Sequence, residues 1–339
     1  MPALPDVLRF QSHGGVAVYR ASCTAFPGFV AHVYLIVGAG PVTLVDTGSG
    51  FGRSNGQVIA GLESLKARFG ETARLADVKR IFITHGHVDH FGGLAHLFEQ
   101  TAAQVGVHEL DRSVLTGYRE RVVVAAKGLR FFLQQAGVDD EFIPDLMEMY
   151  GHSKSHVVDV PVGLLLSDDL EVDGVRIIHT PGHCPGQVCI LIGDILLSAD
   201  HVLSRTTPHQ SPESIMPYTG LGHYLESLDK VAAVEGVRLA LGGHEDPIED
   251  LAGRIEEIRH SHRRKLDQVL DTITAAGTPL TVSDLSRAVY PNVQGFHVLL
   301  ALEEIGAHVE YLYHRGHLSV ANLDAVQHDR HPAIQYRRA

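Results

Sequence analysis

A chain of 339 residues can hold one large domain or two, and 45% hydrophobic with 20% charged residues is the balance of an ordinary soluble globular protein. No stretch reads as a signal peptide and no uninterrupted apolar run is long enough to cross a membrane, while three cysteines are too few for a disulfide framework, which points to a reducing cytoplasm. All of the net charge of −12 comes from residues 1–258, with 19 Lys and Arg against 32 Asp and Glu, which argues against non-specific nucleic-acid binding by the whole molecule; residues 259–339 carry 9 against 8 and leave that part open.

In chain order, short strands are predicted at 32–37 and 42–46 around the turn Gly38-Ala39-Gly40-Pro41, with Asp46 at a strand end. Gly52-Arg53-Ser54-Asn55-Gly56 matches the G-x-S-x-G of serine hydrolases. The pattern is short for a chain with 34 glycines, and a metal site would make its serine unnecessary. Val58, Ile59, Leu62, Leu65 and Phe69 recur at helical spacing, and the next strand, at 80–84, carries the apolar run Ile81-Phe82-Ile83.

That strand delivers Thr84-His85-Gly86-His87-Val88-Asp89-His90. Imidazole nitrogen and carboxylate oxygen are ligands that zinc and related dications accept, and a neutral histidine offers its lone pair without burying a charge. Residues two apart on an extended segment point the same way, so His85 and His87 can share one ion, and Asp89 and His90 can serve a neighbouring one. A solvated histidine-rich loop is the alternative in a chain with 23 histidines, but H-x-H-x-D-H directly after a strand is far more specific than a lone H-x-H. Gly92-Gly93 then opens a helix through Phe98, its glycines letting backbone pass close to the metals. His96 lies beyond reach on that helix and His108 closes a strand at 104–108, so neither is expected to be a ligand.

Apolar clusters at helical period fill 113–150. A hairpin follows, with its turn at Asp173-Gly174, and further strands at 187–192, 195–198 and 238–241. Arg205, His209, Tyr218 and His223 lie in a loop from 201 to 223, and none stands out as a substrate contact. A long amphipathic helix runs from Leu251 to Gly277, followed by helices at 281–290 and 296–305 and a small β-wing that takes in Val309-Glu310-Tyr311-Leu312 and the turn Arg315-Gly316-His317.

On its H-x-H-x-D-H motif the sequence resembles the metallo-β-lactamase fold hydrolases. Asp46 in Leu-Val-Asp-Thr-Gly, His183 in Thr-Pro-Gly-His, Asp200 in Ser-Ala-Asp and His244 in Gly-Gly-His match the other landmarks of that family in order, over about the first three quarters of the chain. The resemblance implies an α/β fold, a four-layer αββα sandwich, over residues 1–258, with a helical lid inserted at about 113–150 whose Phe131, Phe132, Leu146, Met147 and Tyr150 would shape an apolar pocket, or else form lid core or a dimer face. Residues 259–339 look like the winged-helix extension of one branch of the family, some members of which cut RNA; its default role is packing against the body or a second subunit.

The resemblance further implies that His85, His87 and His183 hold one metal, Asp89, His90 and His244 the other, with Asp200 bridging and Asp46 beneath the ligating histidines. Zinc is the default for both ions, with manganese or iron as alternatives. Asp89 could also orient the nucleophile, a bridging hydroxide. The expected activity is hydrolysis of a small thioester or lactone, ahead of an RNA-cleaving phosphodiesterase and, last, a non-catalytic nucleic-acid-binding regulator. A homodimer stays open, and no membrane partner is expected.

Overall fold

The computed structural model describes residues 7–152 and 156–339; residues 1–6, on which the expected absence of a signal peptide partly rests, lie outside them. The chain divides into two compact units, one of Met1–Tyr118, His156–Pro208 and Ser227–Ile255, the other of Arg119–Ser155, His209–Glu226 and Glu256–Ala339.

The first unit holds two sheets. Seven strands lie side by side in sequence order, Leu8–Gln11, Ala17–Phe26, Phe29–Val37, Thr43–Val45, Arg80–Phe82, Gln104–Val107 and Leu164–Leu165. They pair antiparallel up to Thr43–Val45 and parallel from there on. The second sheet has the order Leu239–Gly242, Ile195–Ala199, Val188–Ile192, Val175–His179, Glu171–Val172. Tyr34, Ile36, Val45 and Phe82 of the first sheet share one core with Ile177, Val188, Ile190, Leu197 and Leu241 of the second. Helix Ser54–Glu63 packs on the outer side of Ala17–Phe26, where a side chain at Gly61 would meet Ala21 at 2.9 Å. On the second sheet's side, Ser227 Oγ donates to Pro181 O and Lys230 Nζ to His179 O. The layers are those of an αββα sandwich.

Several strands are buried along their whole length, so they read as runs without polar alternation, such as Leu239–Gly242. The predicted hairpin has Glu171–Val172 against Val175–His179, and both turn residues take positive φ, 49° at Asp173 and 82° at Gly174, as a two-residue turn of this kind requires. Ala17–Phe26 went unpredicted because both its faces are covered and its polar residues interrupt the pattern. Arg20 Nη1 donates to Glu245 O at 3.0 Å and Ser22 Oγ lies 2.9 Å from His32 Nδ1.

The second unit is mainly helical. Its core joins Leu129, Phe132 and Leu146 to Ile273, Leu302 and Ile305. Met147 and Tyr150 pack against that core, whereas Phe131 is 46% exposed. Four of the five residues expected to shape a pocket therefore serve this unit's own core, the outcome set beside the pocket in the sequence reading. The β-wing also needs correction. Val309 and Leu312 continue the apolar stripe of Leu302 and Ile305 at helical spacing, so they belong to helix Phe296–His314, and the strand pair is Leu318–Val320 with Tyr336–Arg338.

Candidate metal centre

The H-x-H-x-D-H loop leaves the parallel strand Arg80–Phe82 and turns at once into a short helix, Val88–Phe91. His85 and His87 precede that helix and face one another, His85 Nε2 lying 3.2 Å from His87 Nδ1. His183 joins them from the loop between Val175–His179 and Val188–Ile192, its ring centroid 4.5 Å from that of His87. Asp200 follows Ile195–Ala199 and His244 follows Leu239–Gly242, so every one of these side chains stands at or just beyond a strand end.

All seven residues singled out in the sequence come together. Their ligand atoms form three overlapping groups, His85/His87/His183, His85/His90/Asp200 and Asp89/His90/His244, within 4.8 Å inside each group. Asp200 Oδ2 lies 3.2 Å from His244 Nε2, 3.5 Å from His90 Nε2 and 3.8 Å from His183 Nε2, and so faces both sides of the cluster. Asp89 Oδ2 is 3.3 Å from His244 Nε2.

Hydrogen bonds behind the cluster fix which ring nitrogens look inward. Asp46 Oδ2 accepts from His90 Nδ1 at 2.8 Å and from Thr84 Oγ1 at 2.8 Å, and Thr84 Oγ1 in turn stands 3.1 Å from His85 Nδ1. One buried carboxylate thus orients two imidazoles, the second through a hydroxyl. His244 Nδ1 donates to Val30 O at 2.7 Å. The inward atoms His90 Nε2, His244 Nε2 and Asp200 Oδ1 are buried with no hydrogen-bond partner, which is costly for a polar atom in a protein interior unless something else is bound there. A Cβ on Gly243 would fall 2.4 Å from Asp200 Oδ1 and 2.5 Å from His90 Cε1, so only glycine lets this backbone pass the ligands. Oxygen and imidazole donors converging on buried, unsatisfied lone pairs fit divalent cations.

The electrostatics split the cluster in two. Burial, reinforced by the neighbouring imidazoles, holds His85 well below its usual pKa, and burial with His183 brings His87 down to about 3. At His90 and His244 burial works the same way, but Asp200 and Asp89 outweigh it, raising His90 well above its usual value and His244 to about 10. Burial opposes charge on Asp89 too, yet His90 and His244 lower it to about 2. A cation among these groups would take over the role those protons play.

The remaining candidates lie elsewhere. Gly92 and Gly93 make their close approaches to the carbonyls of Ser49 and Thr47, holding backbone against backbone, a different task from the one expected of them. Ser54 is buried, its hydroxyl bonded to Ser49 N and Cys23 Sγ, with no nucleophile's exposure. His96 is exposed, and His108 stacks on His179 with centroids 3.7 Å apart. Arg205 pairs with Asp246, His209 with Glu303 and His223 with Glu213. In the second unit His262, Glu304 and His308 also cluster, but Lys265 Nζ already neutralises Glu304 at 2.6 Å, so a dication there would add uncompensated buried charge. Sequence reasoning missed Asp111, whose buried carboxylate accepts from Gly86 N at 2.7 Å and Gly186 N at 3.0 Å. Backbone donors leave no signature in a sequence.

Residues 27–244 match the Metallo-beta-lactamase superfamily profile. The chain is 27% identical over 234 residues to a probable metallo-hydrolase, YflN, of Bacillus subtilis, covering 65% of this chain and 82% of that one. It is 24% identical over 216 residues to an atrochrysone carboxyl ACP thioesterase of Aspergillus fumigatus, covering 62% of this chain and about half, 52%, of the relative. Among solved structures, the metallo-beta-lactamase family protein TTHA1429 from Thermus thermophilus superposes with a TM-score of 0.75 at 28% identity, over 95% of this chain and 98% of the other. A beta-lactamase domain protein from Burkholderia ambifaria shares the fold at the same TM-score of 0.75 and 22% identity, over 100% and 95%. With the profile spanning well over half of its length, the chain belongs to the metallo-beta-lactamase superfamily, as one of its metal-dependent hydrolases.

Proposed function

We propose that the chain is a binuclear hydrolase of a small thioester or lactone. His85, His87 and His183 would hold one ion and Asp89, His90 and His244 the other, with Asp200 between them. Zinc is the default metal for this nitrogen and oxygen set, with manganese or iron as alternatives. The observation that carries this reading is Asp200 Oδ2, aimed at once at the inward nitrogens of His90, His183 and His244. When bound, two such ions supply Lewis acidity, easing deprotonation of a water near neutral pH and polarising a scissile carbonyl. Asp46 and Val30 O keep the imidazoles aimed inward. Asp89, with a carboxylate oxygen facing His244, would orient the attacking water as well as ligate.

The thioester side of the proposal is supported by the Aspergillus relative named as a carboxyl ACP thioesterase. The RNA-cleaving alternative rests on reading the helices and strand pair of 259–339 as a winged helix, and a net charge of −12 works against a polyanionic substrate. The test is a panel of thioesters, lactones, phosphodiesters and single-stranded RNA offered to zinc-loaded protein, to chelator-treated protein and to Asp200→Ala. Thioester or lactone turnover that is lost in both controls is expected. Cleavage of RNA alone would reverse the ranking, and turnover surviving chelation would remove the metal from the reading.

A further inference from the structure

We propose that Asp111 is a positioning residue that sets the spacing of His85, His87 and His183, an inference that rests on the binuclear reading above. Asp111 is only 2% exposed, and burying a carboxylate is unfavourable unless strong donors meet it. It stands at the start of helix Arg112–Thr116, where an acidic side chain ordinarily caps the free amides, yet it makes no capping bond there. Its two oxygens reach instead to two loops distant in sequence: Oδ2 to the amide of Gly86, 25 residues away, and Oδ1 to the amide of Gly186, 75 residues away.

The two loops are the ones that carry this histidine group. Gly86 lies between His85 and His87, and Gly186 lies three residues beyond His183. The first loop leaves the seven-stranded sheet and the second joins two strands of the five-stranded sheet, so the carboxylate fastens the two sheets' loops to each other where their histidines meet. Val188 N also bonds Thr84 O at 2.9 Å, but that tie lies at the strand ends below the ligands, whereas Asp111 grips the loops themselves. Both contact points are glycines for a reason visible in the geometry. A Cβ on Gly186 would fall 2.6 Å from Asp111 Cγ, and one on Gly86 would fall 3.3 Å from Asp111 Oδ2 and 3.0 Å from Val114. Asp111 thus acts on the histidines through backbone, without itself standing among the ligand atoms, and its influence should be felt by one half of the cluster. His90 and His244 are held by other contacts, through Asp46 and Val30.

Asp111→Asn is the informative variant, because an amide keeps one acceptor and turns an N–H toward the other glycine amide. Binding is followed by stepwise titration of metal-free full-length protein with Zn(II), and with Co(II) as an absorbance probe. The variant is expected to fill one seat as the wild type does and the other about 10–100-fold more weakly. A residue that only braced the fold would lower the melting temperature of the metal-free protein without changing the ratio between the two affinities. Two seats of unchanged relative affinity in the variant would overturn the inference. Should Asp111→Asn fail to fold, hydrogen exchange on metal-free wild type decides: slow exchange at the Gly86 and Gly186 amides is expected, and exchange at the rate of open loops would overturn it. A wild-type protein that takes up no metal in the same titration would instead sink the binuclear reading, and this inference with it.

Discussion

Protons and metal compete for the same inward-facing lone pairs, and the competition is unequal across the cluster. His87, brought down to about 3 by burial and His183, is already neutral at pH 7, whereas His244, raised to about 10 by Asp200 and Asp89 against the pull of burial, is charged in the metal-free protein. His90 is raised well above its usual value by the same carboxylates. A ligating imidazole must be neutral, so loading the Asp89/His90/His244 seat at pH 7 must expel protons, and loading the His85/His87/His183 seat need not. Zinc titration calorimetry in buffers of different ionisation enthalpy should therefore show proton release at one of the two steps, and the apparent affinity at that step should climb as the pH is raised toward 10. Equal, near-zero proton release at both steps would contradict the charge pattern. These residues differed in how readily the sequence showed them. His85, His87, Asp89 and His90 declare themselves by their spacing, while His183, Asp200 and His244 are single residues at separate strand ends and became visible only through a family resemblance. Asp111 was invisible by either route.

At the level of single elements, local chemistry decides some boundaries and burial decides others. Helix Val282–Val289 begins with a reciprocal cap, in which Thr281 Oγ1 accepts from Asp284 N at 3.1 Å and Asp284 Oδ2 accepts from Thr281 N at 3.0 Å. Thr281→Ala should cost about 1 kcal/mol, read as a lower urea midpoint with an unchanged m-value; an unmoved midpoint would mean that this helix is held by packing alone. Elements with such local signals, together with the Asp173-Gly174 hairpin and the helix closed by Gly277 at φ 64°, are the ones a sequence displays. Ala17–Phe26 lacks any such signal, since it is covered on both faces and its buried Arg20 and Ser22 bond Glu245 and His32, partners that only the folded chain brings near. Val309 to Leu312 misled for the opposite reason: a short apolar run suits a strand or a helix, and the core of Leu302 and Ile305 chose the helix.

Across the whole molecule, acid should weaken both units, each through its own buried groups. In the second unit, Glu304 is buried against the charge it carries, yet Lys265 and the surrounding histidines hold its pKa at about 2, below the usual 4.5. That carboxylate contributes stability fully above pH 4.5 and loses it as the pH falls toward 2. Burial also brings His262 down to about 3, so between its usual 6.5 and 3 the unfolded chain takes up a proton that the fold refuses, and stability again drops with pH. His209 runs the other way, raised by Glu303 and Glu304 despite burial, and offsets part of the loss. In the first unit of the metal-free protein, His87 and His201, each brought down to about 3 chiefly by burial, lose stability as the pH falls below 6.5 in the same way, whereas His90 and His244 are raised and keep their contribution until the pH rises through the folded values, about 10 for His244. Acidifying the metal-free full chain from pH 7 to 3 should accordingly lower hydrogen-exchange protection both in helix Phe296–His314 and in strands Val188–Ile192 and Leu239–Gly242, once rates are corrected for intrinsic exchange. Glu304→Gln should flatten the part of that decline below pH 4.5, because an amide cannot take up the proton. Protection that does not fall in helix Phe296–His314, or an unchanged slope in Glu304→Gln, would show that this buried network does not govern that unit's acid response.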